Sequence, residues 1–410
     1  MSITSKLLSL INTLMGLLIL TLPVSLITLP QDRNNVILIL VLSFIGLILN
    51  RERLTLSKWE KYFIFSFVFY FAVIAINLWW FDGYLRDLDT PSRLILVLPI
   101  YFFIRKSDIS ANWLLWGIVI GAIVSGLIKL DISDTIFFSK IALTQSGTFS
   151  LFSSIFGLSS VMFFRKDGTY IKNSIFLIAF IFGVWASLIS GGRGVWISAV
   201  LSLLVIIFIN PMNWSGKIKS FIFFLFLANF IGAYFVPETG VKNRIDNAKT
   251  NIASWVVDGT SNTSAGARLE MWKASFEVIK ENPIIGVGED NYKKHQKELI
   301  DQGKISKFVG KFAHPHGEYI TSLVEQGGIG LLAFILVLLM PIKYFLNHIK
   351  SKLYTNESTI LVTPGLIIIL HYLFYSVTSG VFDHQSTALF YSVFMAIIIG
   401  LIKSNSRIEV

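Results

Sequence analysis

The chain contains no cysteine, which excludes a disulfide framework and thiolate metal sites. It is also poor in charge: Asp, Glu, Lys and Arg make up 15% of its 410 residues, whereas 54% are hydrophobic. A chain so apolar cannot fold around one soluble core without exposing much of it, so the expected class is an all-α polytopic membrane protein. The net charge of +10 would suggest nucleic acid in a soluble protein. In a membrane protein, basic loops are expected on the cytoplasmic side, so membrane lipids are expected partners and nucleic acid is not. No internal repeat stands out, which leaves an inverted-repeat transporter unsupported. An Asp-rich metal motif is missing too, so neither a metal nor a cofactor is expected.

What the sequence has instead is long apolar runs. They extend over Leu7 to Leu29, Val36 to Leu49, Tyr62 to Trp80, Leu94 to Ile104, Trp113 to Ile128 and Phe149 to Phe164. The second half adds Ser174 to Ser190, Val195 to Ile209, Phe221 to Val236, Tyr319 to Ile342, Ile360 to Val377 and Thr387 to Ile402. The first follows Lys6 but is too long for a signal-peptide core and lacks a small-x-small cleavage site, so it reads as a span. About twelve transmembrane helices result, two of them shorter than a full crossing. Lys and Arg are dense in alternate connections, as at Arg51, Arg53, Lys58 and Lys61, then Arg105 and Lys106, then Arg165, Lys166 and Lys172. Those loops go to the cytoplasm together with both termini, and their charges are read as solvated. The expected organisation is transmembrane helices over 1–236, a periplasmic helical loop domain over 237–317 and transmembrane helices over 318–410.

Candidate chemistry gathers on the outer side. Ser190-Gly-Gly-Arg-Gly194 places Arg193 between two apolar segments with almost no loop. A charge so near hydrocarbon needs a partner, and a planar guanidinium suits bidentate phosphate binding; a snorkelling arginine in a tight hairpin is the alternative. Arg268 opens a helical pattern through Leu269, Met271, Trp272, Ala274, Phe276 and Ile279, which Pro283, Gly286 and Gly288 stop. A second helix is expected over Asn291 to Leu299. Two of the six histidines follow in Ala313-His314-Pro315-His316-Gly317. Glu318, Ser322 and Glu325 then form one helical stripe, expected to face the bundle interior because buried carboxylates are costly on lipid-facing surfaces. Gly327, Gly328 and Gly330 permit close helix packing. Asp383 and His384 lie in the last outer loop. An earlier acidic loop carries Asp82, Arg86, Asp87, Asp89 and Arg93, with Arg93 expected at a helix start. The loop from Lys129 through Asp131, Asp134 and Lys140 reads as external, and His371 reads as a satisfied core histidine.

These motifs resemble the bacterial O-antigen ligase and polymerase superfamily. His316, Gly317, nine residues, then Gly327 and Gly330 follow its spacing, although the family usually has Asn, Ser or Gln where Gly317 stands. Its outer arginines have matching contexts in the Gly-Arg-Gly turn at Arg193 and in Arg268 with Trp272, Pro283, Gly286 and Gly288. The resemblance covers about Ser190 to Phe345. It implies a GT-C-like transferase of the bacterial inner membrane with a periplasmic active site. The implied donor is an undecaprenyl-pyrophosphate-linked glycan and the implied acceptor a lipid A-core hydroxyl. The expected catalytic residues are His316 as general base, with Arg268 and Arg193 on the leaving pyrophosphate. Arg93, Asp89, His314, Glu318, Asp383 and His384 are expected to bind substrate. An O-antigen polymerase or a protein O-oligosaccharyltransferase would use the same chemistry. A lipid or glycan transporter would not, and should carry matched polar residues on both faces.

Overall fold

The computed structural model describes residues 3–28, 34–130, 170–190, 192–209, 214–258, 263–289, 291–312, 314–351 and 356–405. The expected span from Phe149 to Phe164, the loop with Asp131, Asp134 and Lys140, and Gly191 lie outside the described residues. Among the described residues every regular element is helical. Helices α1 (Ile3–Thr28), α2 (Asn34–Leu49), α3 (Lys58–Trp80), α4 (Asp89–Leu96), α5 (Leu98–Ile104) and α6 (Asn112–Leu130) form the first half. Next come α7 (Tyr170–Ser190), α8 (Arg193–Ile209) and α9 (Gly216–Phe235). The interval between them and the last helices carries α10 (Val241–Asp258), α11 (Ser264–Glu281) and α12 (Tyr292–Asp301), and the chain closes with α13 (Glu318–Lys350), α14 (Asn356–Tyr375) and α15 (Gln385–Asn405).

The chain is a multi-pass membrane protein in its helices. Among the described residues five are long and apolar enough to cross a membrane: Ile3–Leu26, Lys58–Trp80, Gly216–Phe235, Glu318–Lys350 and Gln385–Ser404. Five shorter apolar helices accompany them. Apolar residues all round α15, from Ala388 to Ile402, are buried, as a helix without a polar face must be. This central helix packs against α4, α5 and α14, while α3 lies along α13 and α14 along α8.

The expected span Leu94 to Ile104 is corrected by the structure: it is split into α4 and α5 at Val97. Pro99 supplies no N–H to continue the ladder, and its ring crowds the preceding turn. Arg93 accordingly sits in the last turn of α4 rather than at a helix start. The expectation that the basic residues of the cytoplasm-assigned loops are all solvated is corrected as well. Arg105 is 2% exposed and pairs through Nε with Glu60 Oε1 at 2.5 Å. Glu60 is itself the N3 residue of a capping box with Ser57, and Lys403 Nζ lies 3.7 Å from its other oxygen. This buried network ties α3, α5 and α15 together at one end.

At the other end, α13 is broken at Gly327, where φ is 68° and ψ −160°. The break frees backbone groups, and the loop after α11 takes them up. Val287 and Gly288 donate their N–H groups to the carbonyls of Val324 and Glu325, each at 2.9 Å, and Gly328 donates to Pro283 at 2.8 Å. Asn77 of α3 donates to the carbonyls of Ile285 (2.9 Å) and Glu325 (3.1 Å), closing the seam from the bundle side. Gly286 and Gly327 both have positive φ, and a Cβ on either would collide with the facing backbone. The glycines therefore do permit close approach, but of a loop to the helix rather than of two helices. The helices of the interval share a small core of their own, with Met271, Ala274, Val278, Tyr292, Leu299 and Val309 packed on Val324.

Gly327→Ala should destabilise the protein by about 1–3 kcal/mol, because the residue combines a left-handed φ with a backbone contact. Gly216→Ala, where nothing lies within 4 Å of the added carbon, should be near neutral. Thermal unfolding midpoints in detergent compare the two; equal midpoints would contradict the role given to the seam.

Candidate active site

The connection from α12 to α13 includes a short helical turn at Lys307–Lys311 and ends in the segment that carries His314 and His316. Trp272, on α11, donates its Nε1–H to the carbonyl of Pro315 at 3.1 Å. His316 has a positive φ of 53°, a conformation uncommon for a side-chain-bearing residue. Gly317 is extended, and a Cβ there would lie 3.0 Å from the carbonyl oxygen of Val377. The small residue at this position thus reflects how tightly the 375–382 segment closes on the loop. That segment is further tied down by Glu318, whose N–H donates to Ser376 O at 2.8 Å and whose carboxylate accepts from Phe382 N at 2.9 Å.

Arg268 arrives from another direction. Thr263 caps α11 by accepting from Gly266 N at 3.1 Å, so Arg268 lies in the second turn, not the first. One turn later on the same face is Trp272, which links the guanidinium and the histidine loop through a single helix. Arg193 enters as the first residue of α8, where the helix N-terminus adds its own positive potential. The following Gly194 leaves room for Tyr375 and Thr378, which puts the Gly-Arg-Gly turn against the segment that contacts Gly317.

The electrostatics record this convergence. The Arg268 pKa is lowered by its burial and then by the charge of Arg193, with Tyr375 acting the other way. His316 is pushed down to about 4, first by burial and then by His314, Arg268 and His384. That direction favours the neutral imidazole at pH 7, with the Arg268 guanidinium nearby and Arg193 in turn near Arg268. The His314 and His316 rings are 4.5 Å apart between centroids, and His314 Nδ1 lies 3.5 Å from Asp383 Oδ2. Burial holds the Asp383 carboxyl above its usual range, with His314 and His384 partly offsetting it. Gly380 leaves the space that the Asp383 carboxylate fills.

Residues 178–335 match the family model described as O-antigen ligase, a range that takes in Arg193, Arg268, His316, Gly327 and Gly330. This stretch is similar to the O-antigen ligase family. An uncharacterized protein of Haemophilus influenzae is 28% identical over 396 residues, covering 93% of this chain and 95% of its own length. The similarity thus runs well beyond the matched stretch, to both sides of it.

Within and around that stretch, the structure brings together His316, Arg268, Arg193, His314, Asp383 and His384. Glu318 and Asp89 line an adjoining cavity with Asp383. Arg93 stands apart: 7% exposed, it pairs with Asp89 at 3.1 Å and lines a separate apolar cleft with Val36, Ile37 and Leu40. Asp89 also accepts from Gln385 Nε2. His371 donates to or accepts from Ser198 Oγ at 2.9 Å within the core. Among the described residues no three of His, Asp and Glu converge closely enough to hold a metal ion. Sequence reasoning missed Tyr375 and Asn77, because each lies inside a run read as a span; only the cost of burying a polar group unpaired marks it.

Trp272→Phe keeps a ring but removes the hydrogen bond to Pro315, worth about 1 kcal/mol. Amide exchange at His316 and Gly317 should then rise about fivefold. Unchanged exchange would mean that Trp272 does not hold the loop.

Proposed function

We propose that the protein is an O-antigen ligase that transfers a glycan from undecaprenyl pyrophosphate to a lipid A-core hydroxyl at the periplasmic face of the bacterial inner membrane. The observation that carries this is the chain of neighbouring groups in which Arg193 faces Arg268 and Arg268 faces His316. In this reading the arginines hold the donor pyrophosphate, since they stay charged at any working pH and match phosphate oxygens. The acceptor oxygen attacks the anomeric carbon while the bond from that carbon to the pyrophosphate oxygen breaks. Its electron pair leaves with the undecaprenyl pyrophosphate, where the two guanidiniums stabilise the growing negative charge. The hydroxyl proton passes to His316. Direct displacement inverts the anomeric centre, and the step as written runs without a metal.

The low proton affinity of His316 suits a base that must be neutral before donor arrives. An anion between the arginines offsets their repulsion of an imidazolium, so the same group becomes a stronger base once the donor is in place. His314, His384 and Asp383 serve as the rim that positions substrate, with Glu318 fixing the loop. Arg93 is read here as the partner that orients Asp89. The same proposal includes the framework: about twelve spans in a GT-C-like bundle, both termini cytoplasmic, with 1–236 and 318–410 in the membrane and 237–317 forming the periplasmic unit.

His316→Ala should reduce transfer by about 10²–10⁴-fold without lowering the amount of protein, and Arg268→Gln should do so comparably. Lipopolysaccharide ladders restored in a ligase-null strain check this; laddering by His316→Ala at the normal level contradicts it, and rescue of a polymerase-null strain alone changes the acceptor to a second lipid-linked glycan. The pH profile of kcat/KM reports the donor-free protein. It should stay level with respect to His316 between about pH 5 and 7 and fall as pH drops through about 4, where the base becomes protonated. A fall centred near the ordinary histidine value would contradict the assignment.

A further inference from the structure

At the end of α3 remote from the seam, a groove of about 720 Å³ opens between α3 and α13. Lys58, Lys61, Tyr62 and Phe65 line it at i, i+3, i+4 and i+7 on α3, and Leu336, Met340 and Lys343 at i, i+4 and i+7 on α13. Such spacings place each set on one stripe of its helix. The two helices run antiparallel, because Asn77 meets Glu325 at the seam whereas Lys58 and Lys343 meet at the groove. The stripes are therefore graded in the same sense. All three lysines stand at one end, and Phe65, Leu336 and Met340 follow over roughly 10 Å of helix toward the interior of the span. Phe65 is 54% exposed, so the apolar part of the groove is open to its surroundings. Among the described residues no carboxylate pairs with Lys58, Lys61 or Lys343. The nearest acid in the sequence, Glu60, is buried and turned to Arg105 and Lys403 instead. Lys58 Nζ stands 5.7 Å from the centroid of the Tyr62 ring. Three ammonium groups lining one groove repel one another, and an anion among them offsets that repulsion.

We propose that this groove seats an anionic phospholipid, its phosphate held by Lys58, Lys61 and Lys343 and an acyl chain laid along Phe65, Leu336 and Met340. Both helices are long and apolar enough to cross a membrane, so the bilayer itself supplies the ligand. Basic pockets between transmembrane helices take anionic headgroups, and lysine stems lie along apolar surface while their charges reach the headgroup level. A free phosphate would satisfy the lysines but leave the apolar stripe uncovered. A zwitterionic lipid would cover the stripe but bring its own ammonium against the lysines. An anionic lipid matches both halves of the groove. It touches α3 and α13 together, so binding favours the packed pair by mass action. The inference does not depend on the transfer reaction proposed above.

The test uses the full chain, purified in detergent and freed of lipid, with binding read by native mass spectrometry. The probes are phosphatidylglycerol, phosphatidylethanolamine with the same acyl chains, and glycerol 3-phosphate. Phosphatidylglycerol should bind about tenfold or more tightly than phosphatidylethanolamine, and glycerol 3-phosphate should not displace it at a similar concentration. Lys58→Gln and Lys61→Gln combined, at exposed positions that spare the fold, should weaken phosphatidylglycerol binding about tenfold or more, since each lysine contributes about fivefold. Lys217→Gln and Lys219→Gln combined remove the same charge from the start of α9, outside the groove, and should leave the affinity within about twofold. Equal affinity for the two lipids overturns the proposal, as does unchanged affinity in the groove variant. Equal losses in the two double variants overturn it too, because the attraction would then be one of net charge alone. Displacement by glycerol 3-phosphate as effective as by the lipid would make the groove a phosphate site and overturn the lipid assignment.

Discussion

Two guanidiniums held near each other in a half-buried recess raise the local potential, and everything near them responds. Burial lowers the proton affinity of Arg268, and Arg193 lowers it further. The neighbouring imidazole of His316 is kept neutral by burial and by the same field. An anion relieves the repulsion and is attracted more strongly there than in water, because the recess screens less. The rest of the architecture can be read as what it takes to keep that arrangement in place. Arg193 is fixed by a helix start, Arg268 by a capped helix, and His316 by a loop that Trp272 holds through Pro315.

That arrangement would drift if the interval bearing Arg268 moved against the bundle. The seam between residues 283–288 and the break in α13 prevents it, because backbone hydrogen bonds with no side-chain freedom join the two. Asn77 locks the seam to α3, and at the opposite end of α3 the buried Glu60–Arg105 pair ties it to α5. A single long helix, α3, therefore links the seam at one of its ends to the buried Glu60–Arg105 pair at the other. Breaking either tie leaves buried charged or polar groups without partners, which is costly at such depth.

Much of this was legible in the sequence, for definite reasons. Apolar runs announce themselves, so ten of the expected spans have counterparts among the described helices. The run from Leu94 to Ile104 misled because composition alone does not weigh Pro99, whose missing N–H splits the helix. Arg193, Arg268 and His316 were findable because charge or imidazole is conspicuous beside hydrocarbon, and their convergence follows from loops on one side. The glycines of the seam were visible by position but not by role. Helix packing and loop closure both require small residues, and only the paired carbonyls and positive φ values distinguish them. The cavity lined by Asp89, Glu318 and Asp383 was the least legible feature, because its carboxyl groups lie on segments up to about 300 residues apart in sequence.

The central claim is that the arginine pair and His316 form one electrostatic unit completed by pyrophosphate. Its most direct test is a histidine-labelled NMR titration of the full chain with and without undecaprenyl pyrophosphate. The account requires His316 to titrate near 4 when alone and its proton affinity to rise by about tenfold or more once the lipid is bound, as an opposite charge nearby demands. A His316 titration that saturating lipid leaves unmoved would contradict it.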